Sequence, residues 1–138
     1  MSFPVSQELG VVAQTVLLEA AGEPMAGKLA VAFVIVNRMK KRKQTAFEVC
    51  WAKWQFSCWL APLSSIAWKF QQETAKTWAE CVLCAEMALE NGSVVDPSLG
   101  ATLYLNQAIT MQQAGKLPSW VVKATWLVKI GAHDFYSE

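Results

Sequence analysis

Residues 9–36 read LGVVAQTVLLEAAGEPMAGKLAVAFVIV. Apolar side chains recur at three- and four-residue intervals from Leu9 to Ala20, and this spacing predicts an amphipathic helix that ends near Gly22. Pro24 suits the first turn of a second helix. The apolar pattern behind Pro24 is longer than a usual strand of about 4–8 residues, which favours a helix over a buried strand. The stretch therefore predicts two consecutive helices.

The ends of these helices carry signals of their own. Ser6 is predicted to be the N-cap of the first helix, with Glu8 in its first turn. The cations of residues 40–43 are predicted to end the second helix, because positive charge is favourable at a helix C-terminus. Thr45 and Glu48 then have the spacing of a capping box, which predicts a short third helix.

One long helix is predicted over residues 65–91, where strong helix formers are frequent and where Asn91 and Gly92 supply a stop signal. Its predicted inward residues are Phe70, Trp78, Val82, Ala85 and Leu89.

Three short β-like runs follow a predicted turn at residues 96–100. They span residues 101–105, 125–130 and 133–136, and Gly131 with Ala132 joins the last two. Helices followed by a small antiparallel sheet predict a mainly helical α+β domain that fills residues 1–138. The cleft between helices and sheet is the natural place for a ligand.

Composition excludes several classes of protein. The 138 residues are 54% hydrophobic and 17% charged, which is typical of one core-rich domain rather than a disordered chain. A net charge of +1 is too balanced for a dedicated nucleic-acid binder. The longest apolar run, residues 29–36, is far shorter than the roughly 18 residues of a membrane span, so no stable membrane insertion is expected.

The four cysteines are expected to be free thiols, and neither a metal nor a cofactor is expected. The pair Cys81 and Cys84 lies in a predicted helix, and no second cysteine pair or histidine cluster completes a zinc site. His133 is the single histidine of the chain. It is expected to be a structural hydrogen-bonding group in the sheet.

Glu19 is the strongest candidate for catalysis. At 100° per residue it falls beside Val12 and Val16, at the border of the apolar stripe. A carboxyl group beside apolar side chains can act as a general acid. The spacing alone favours a flank residue at the helix end, so the catalytic interpretation needs a more specific signal.

The wording of the motifs adds a family resemblance. Residues 18–24, LEAAGEP, with the VNR of residues 36–38, resemble the E-A-x-G-E-P and N-R signature of the spore-cortex-lytic and cell-wall hydrolase family. The family's other blocks follow in order. They are similar to QFS at 55–57, DPSLGATLYLN at 96–106, PSW at 118–120 and GAHDFY at 131–136.

This resemblance implies a lysozyme-like domain that degrades the glycan strands of peptidoglycan as a lytic transglycosylase without a cofactor. Glu19 is implied to be the catalytic residue, acting first as acid and then as base. The implied substrate-binding residues are Glu23, Gln55, Ser57, Tyr104 and Asn106. Two departures are Ala21, where a polar or basic residue is expected, and an insertion-like Trp-rich stretch at residues 59–68.

Alternative readings stay open at this point. Glu19 with a second carboxylate, Glu23 or Asp96, would make a hydrolytic muramidase. Cys58 in an S-C-W tripeptide, with His133 downstream, would make a cysteine endopeptidase or amidase. A catalytically silent wall-binding module would use the same groove and aromatic side chains.

The N-terminal segment lacks the cationic start of an export signal, and this leads to an expectation about access to the wall. An enzyme of this family that is made in the host cytoplasm and released through the holes of a holin would be a phage endolysin. We therefore expect synthesis in the cytoplasm and action on the cell wall after release. The alternative is a spore-associated enzyme of the family that reaches its substrate by another route.

Overall fold

The computed structural model describes residues 3–52, 56, 63–90 and 94–138. Five helices come first in the chain, and the three strands follow with two short helices between the first and second strand. The helices are α1 (Phe3–Ala20), α2 (Met25–Arg42), α3 (Ala46–Cys50), α4 (Leu63–Gln72), α5 (Ala75–Leu89), α6 (Gln107–Ala114) and α7 (Trp120–Lys123). The strands are β1 (Leu103–Leu105), β2 (Thr125–Ile130) and β3 (His133–Ser137).

The predicted fold class, mainly helical α+β with a small antiparallel sheet, is confirmed. Helices α1, α2 and α5 pack against one another and form the core. The apolar stripe predicted for the first helix is the buried one, since Val12 and Val16 are fully buried. Helix α2 is buried on more than one face, with Val31, Val34 and Ile35 inaccessible to solvent.

The first helix begins earlier than the sequence signals predicted. Helix α1 starts at Phe3, so Ser6 lies inside the helix and the prediction that Ser6 is its N-cap was wrong. Pro4 falls in the first turn, where its missing N–H has no intrahelical partner to lose and its fixed φ suits the helix.

The single helix predicted over residues 65–91 is two helices, α4 and α5. The break is made by Thr74, whose side chain accepts a hydrogen bond from the backbone N–H of Thr77 and so caps α5. Trp78 was predicted to point inward but is 37% exposed, and its ring meets Phe70 edge to face instead.

Small side chains replace Trp78 on the buried face of α5. Cys81, Cys84, Ala85 and Ala88 are its buried residues. Because α5 packs against both α1 and α2, short side chains on this face let the three backbones approach closely.

Two of the predicted helix ends are confirmed. Helix α2 ends with Lys40, Lys41 and Arg42 in its last turn, and Lys43 follows in the left-handed region at φ 53°. Thr45 and Glu48 form both hydrogen bonds of a capping box at the start of α3. These ends depend only on residues close in sequence, which is why the pattern predicted them.

Strand β3 lies at the centre of the sheet, between β1 and β2, and pairs antiparallel with both. Gly131 and Ala132 connect β2 to β3 as predicted, and Gly131 has a φ of +57° that favours glycine. Phe135 of β3 is fully buried against the helices. Helices α6 and α7 were not predicted, since neither has a buried face that imposes a periodic pattern.

Within the described part of the chain, none of the helices combines the length and the apolar character needed to span a bilayer.

Candidate active site

The centre of the site is a hydrogen bond between a helix end and the sheet. Glu19 lies in the last turn of α1 and is partly exposed. The hydroxyl of Tyr104, in the middle of β1, donates a hydrogen bond of 2.8 Å to Glu19 Oε1. The structure thus brings together the predicted catalytic residue and one of the predicted substrate-binding residues.

Three rings hold the Tyr104 side chain in place. The His133 ring meets it edge to face with centroids 5.0 Å apart, and the Phe135 ring is 5.6 Å away on the paired strand. The Phe56 ring is 6.4 Å away and is almost completely buried. Because these contacts restrict the ring, the hydroxyl is aimed at Glu19 before any substrate binds.

The turn that follows Glu19 is tied to the hairpin through Glu23. The backbone N–H of Ala132 donates a 2.9 Å hydrogen bond to Glu23 Oε1. His133 Nδ1 lies 2.8 Å from the same oxygen, and both side chains are nearly buried.

Gly131 leaves room for the Glu23 carboxylate. A Cβ placed on Gly131 would lie 2.9 Å from Glu23 Oε1 and 3.0 Å from Oε2, which is closer than atoms of a real side chain approach. The Glu23 carbonyl also accepts a 2.5 Å hydrogen bond from Lys28 Nζ, and Lys28 is buried. Glu23 is therefore held at both its backbone and its side chain.

Asp96 organises the turn that leads into β1. Its Oδ1 accepts hydrogen bonds from the backbone N–H and the hydroxyl of Ser98, and its Oδ2 accepts one from the N–H of Gly100. Asn37 Nδ2 of α2 donates to the same Oδ2 at 2.9 Å and to the carbonyl of Ala101. The Asp96 carboxylate thus joins the turn to α2.

Arg38 continues this attachment of β1 to α2. Its Nε donates a 2.5 Å hydrogen bond to the carbonyl of Thr102, two residues before Tyr104. The guanidinium lies over the Phe56 ring, 4.7 Å from its centroid. Burial is the largest cause that lowers the pKa of Arg38, to about 10, so the group still carries its charge at neutral pH.

A lysine from α4 contacts the C-terminal end of α1 from the other direction. Lys69 Nζ donates a hydrogen bond to the carbonyl of Leu18, which directly precedes Glu19. The last four carbonyls of a helix have no partner within the helix, and a cation there is favourable. Lys69 therefore satisfies one of the free carbonyls of the α1 terminus.

The other predicted site residues have separate positions. Asn106 follows β1 and is the N-cap of α6, where its Oδ1 accepts a hydrogen bond from the N–H of Ile109. Gln55 and Ser57, predicted to bind substrate, lie outside the described residues. The alternative nucleophile Cys58 lies outside them as well.

The three described cysteines are buried free thiols. Burial raises the pKa of each of them to about 11, which keeps them protonated and poorly nucleophilic at neutral pH. They are Cys50, Cys81 and Cys84. Among residues 3–52, 56, 63–90 and 94–138, no three His, Cys, Asp or Glu side chains are grouped so that they could hold a metal ion.

Sequence reasoning missed the residues that position Glu19. Asn37 and Arg38 were part of a recognised motif, but no role followed from their spacing. The partner of Lys69 is a backbone carbonyl 51 residues away, for which a sequence carries no signal. Glu23 and His133 are 110 positions apart. The sequence marked them only as members of two glycine-containing motifs, LEAAGEP and GAHDFY, and did not indicate that they meet.

Comparison with known proteins finds one matching family and similar solved structures. A family model described as Cell Wall Hydrolase matches residues 22–136. The catalytic domain of the germination-specific lytic transglycosylase SleB from Bacillus anthracis is similar, with a TM-score of 0.65 and 26% identity over 94% of this chain and 93% of that one. The catalytic domain of the Bacillus cereus SleB protein is also similar, with a TM-score of 0.66 and 25% identity over 96% of this chain and 91% of that one. No curated protein matches significantly.

Proposed function

The chain belongs to the cell wall hydrolase family, and from this premise we propose that it cleaves the MurNAc–GlcNAc glycan strand of peptidoglycan as a lytic transglycosylase. The observation that carries the proposal is the 2.8 Å hydrogen bond from Tyr104 to Glu19 at the end of α1. Support comes from the similar solved structure that is described as a lytic transglycosylase.

Glu19 acts first as a general acid. The Tyr104 hydroxyl occupies Oε1, so the transferable proton is carried by Oε2. Glu19 donates this proton to the glycosidic oxygen as the bond to the muramoyl C1 breaks, and the GlcNAc leaving group departs as an alcohol. Positive charge develops on the muramoyl ring as an oxocarbenium ion.

Glu19 then acts as the base. Its carboxylate removes the proton of the C6 hydroxyl, the C6 oxygen bonds to C1, and a 1,6-anhydro ring closes without a water molecule. The Tyr104 hydrogen bond stabilises the carboxylate that exists between the two steps. Glu19 regains its proton, so the enzyme is ready for another cycle.

One carboxylate is sufficient for this sequence of steps. The other two candidate carboxylates, those of Glu23 and Asp96, are occupied by contacts within the protein. Glu23 faces the N–H of Ala132 and the His133 ring. Asp96 accepts four hydrogen bonds within its turn and from α2. Both carboxylates serve the architecture of the site, whereas a hydrolytic mechanism would need one of them to activate water or attack the sugar.

The test is mass spectrometry of purified peptidoglycan after digestion by the wild-type protein and by Glu19→Gln. We expect anhydro-muramoyl products from the wild type and none from Glu19→Gln, because the amide cannot donate or accept the proton. Glu86→Gln is the matched control, since Glu86 is an exposed residue of α5, and it should keep full activity.

Other products would identify the alternatives. Reducing glycan ends that are lost in Glu19→Gln would mean hydrolysis and would require a second carboxylate. Released peptides that are lost in Cys58→Ala would replace the proposal with a cysteine peptidase or amidase. Activity lost on treatment with EDTA would contradict a mechanism that uses only side chains.

The endolysin role and the need for a holin stay predictions from the family resemblance. Their test is expression in a Gram-negative host with and without a holin gene. Lysis only with the holin, and only with an intact Glu19, would support release from the cytoplasm. Lysis without the holin would contradict it.

A further inference from the structure

A surface recess lies on α4, outside the contact between Glu19 and Tyr104. It is shallow and open, because all of its lining residues belong to one face of α4 or to the residue directly after it. We call it the α4 pocket. Its lining residues are Ser64, Ser65, Trp68, Lys69, Gln72 and Glu73.

Trp68 is the unusual member of the α4 pocket. Its side chain is 62% exposed, although a large aromatic group gains free energy when it is buried. The opposite face of α4 already supplies the contacts with the core, through the buried Ile66 and the partly buried Phe70. Among the residues that the structure describes, the core contacts of α4 do not account for the exposed indole.

The chemistry around Trp68 suits a carbohydrate. A pyranose ring presents an apolar face of C–H groups that stacks on an aromatic ring, and its rim carries hydroxyl and acetamido groups. Ser64 and Ser65 offer hydroxyls, Gln72 offers an amide and Glu73 offers a carboxylate beside the indole. The pocket therefore combines an aromatic ring for stacking with hydrogen-bond donors and acceptors around it.

The α4 pocket is also attached to the end of α1 that carries Glu19. Lys69 lines the pocket and donates its hydrogen bond to the carbonyl of Leu18, next to Glu19 in the chain. Because Lys69 belongs to both contacts, the pocket lies beside the end of α1 that carries Glu19, where a polymeric substrate extends beyond the scissile bond. The occupant that fits is another part of the same glycan strand.

We propose that the α4 pocket is a remote glycan subsite in which Trp68 stacks on a sugar unit away from the scissile bond. The inference rests on the proposed function, since it assigns the subsite to the same substrate. Its role is to bind long strands, so it lowers KM for polymeric glycan and leaves the chemical step at Glu19 unchanged.

The experiment compares Trp68→Ala with the wild type on peptide-free glycan strands and on the shortest cleavable oligosaccharide. We expect KM for long strands to rise on the order of tenfold, with kcat unchanged and the short substrate unaffected. Trp68→Phe should retain most of the affinity, because a phenyl ring still stacks. Trp51→Ala is the matched control, since its indole is 55% exposed and lies outside the α4 pocket.

Three results would overturn the subsite. KM for long strands could be unchanged in Trp68→Ala. Cleavage of the short substrate could fall as much as cleavage of long strands. This would mean that Trp68 acts by supporting the structure around Glu19. The effect could also be present only on strands that still carry peptides, which would assign the pocket to the stem peptide instead of the sugar.

Binding separates this inference from the proposed function. Calorimetry with Glu19→Gln and peptide-free strands measures affinity without cleavage, and adding Trp68→Ala should weaken it by the same factor. If the wild type cleaves no glycan but this loss of affinity is seen, the subsite stands and the catalytic proposal fails. If cleavage occurs and the affinity does not change, the catalytic proposal stands and the subsite fails.

Discussion

Removing the Tyr104 hydroxyl tests the central contact of the site. Tyr104→Phe keeps the ring, which remains packed against His133, Phe135 and Phe56. The substitution deletes one group, the donor of the 2.8 Å hydrogen bond to Glu19 Oε1. A change in kcat therefore reports the loss of the hydroxyl from its contacts within the protein, whereas a change in KM would report a lost contact with substrate.

The size of the effect follows from the charge of the acceptor. A hydrogen bond to a charged group contributes about 1.5–3 kcal/mol, which corresponds to about 10- to 150-fold in rate if it acts only in the transition state. Tyr104 also contacts Glu19 before substrate binds, so part of this energy is present in the ground state and cancels. We therefore expect kcat to fall about tenfold, with little change in KM.

The chain contains a matched control, because its second tyrosine is Tyr136. The Tyr136 hydroxyl accepts a 2.8 Å hydrogen bond from Gln107 Nε2, and its ring packs against Trp120. Tyr136→Phe loses a neutral hydrogen bond, so we expect the free energy of unfolding to decrease by about 0.5–1.5 kcal/mol and kcat to remain unchanged.

The assay is the initial rate of anhydro-product formation on peptide-free glycan strands, measured over a range of substrate concentrations. Urea unfolding of both variants shows how much of any change comes from stability. A normal kcat with a raised KM in Tyr104→Phe would refute the reasoning, since it would mean that the hydroxyl binds the sugar and does not act on Glu19. Equal losses of kcat in both variants would refute it too.

Three further predictions concern the scaffold of the site. Thr74→Ala should lower the free energy of unfolding by about 1 kcal/mol in urea titrations, since it removes the N-cap of α5; no change would mean that the cap is dispensable. Gly131→Ala should destabilise the protein more than Gly115→Ala: both glycines have positive φ, but only the Gly131 Cβ would meet the Glu23 carboxylate. Equal losses in urea would mean that the Glu23 contact adds nothing. The three buried cysteines should resist iodoacetamide at pH 8 and react faster as the pH approaches 11, because burial has raised the pKa of each to about 11 and only the thiolate attacks. Peptide mass spectrometry identifies the alkylated residues, and rapid labelling of the folded protein at pH 8 would contradict this prediction for Cys50, Cys81 and Cys84.

The site is built by attaching distant motifs to α2 and to the hairpin. Asn37 and Arg38 hold the Asp96 turn and the Thr102 carbonyl, and this sets where β1 starts. The hairpin at Gly131 receives Glu23 and so fixes the turn after α1. Motifs that are far apart in sequence therefore act together to place Glu19 next to the Tyr104 hydroxyl.

Local patterns predicted a large part of the fold. Apolar periodicity identified α1 and α2, and a capping box and a basic terminus identified two helix boundaries. Alternation and glycine identified the three strands and the β2–β3 connection. The same patterns failed at Thr74 and Trp78, where a single cap and the close packing of α5 against two helices outweighed helix propensity.

The sequence by itself determined the fold class, the family and the choice of Glu19 as candidate, because periodicity, caps and motif wording involve residues that are neighbours in the chain. Only the tertiary structure decided which side chains contact Glu19. Tyr104 is 85 positions away, and Ala132 is 109 positions from Glu23. Such contacts arise when the sheet packs against the ends of α1 and α2, and the geometry of that packing is set by the whole core rather than by any local segment.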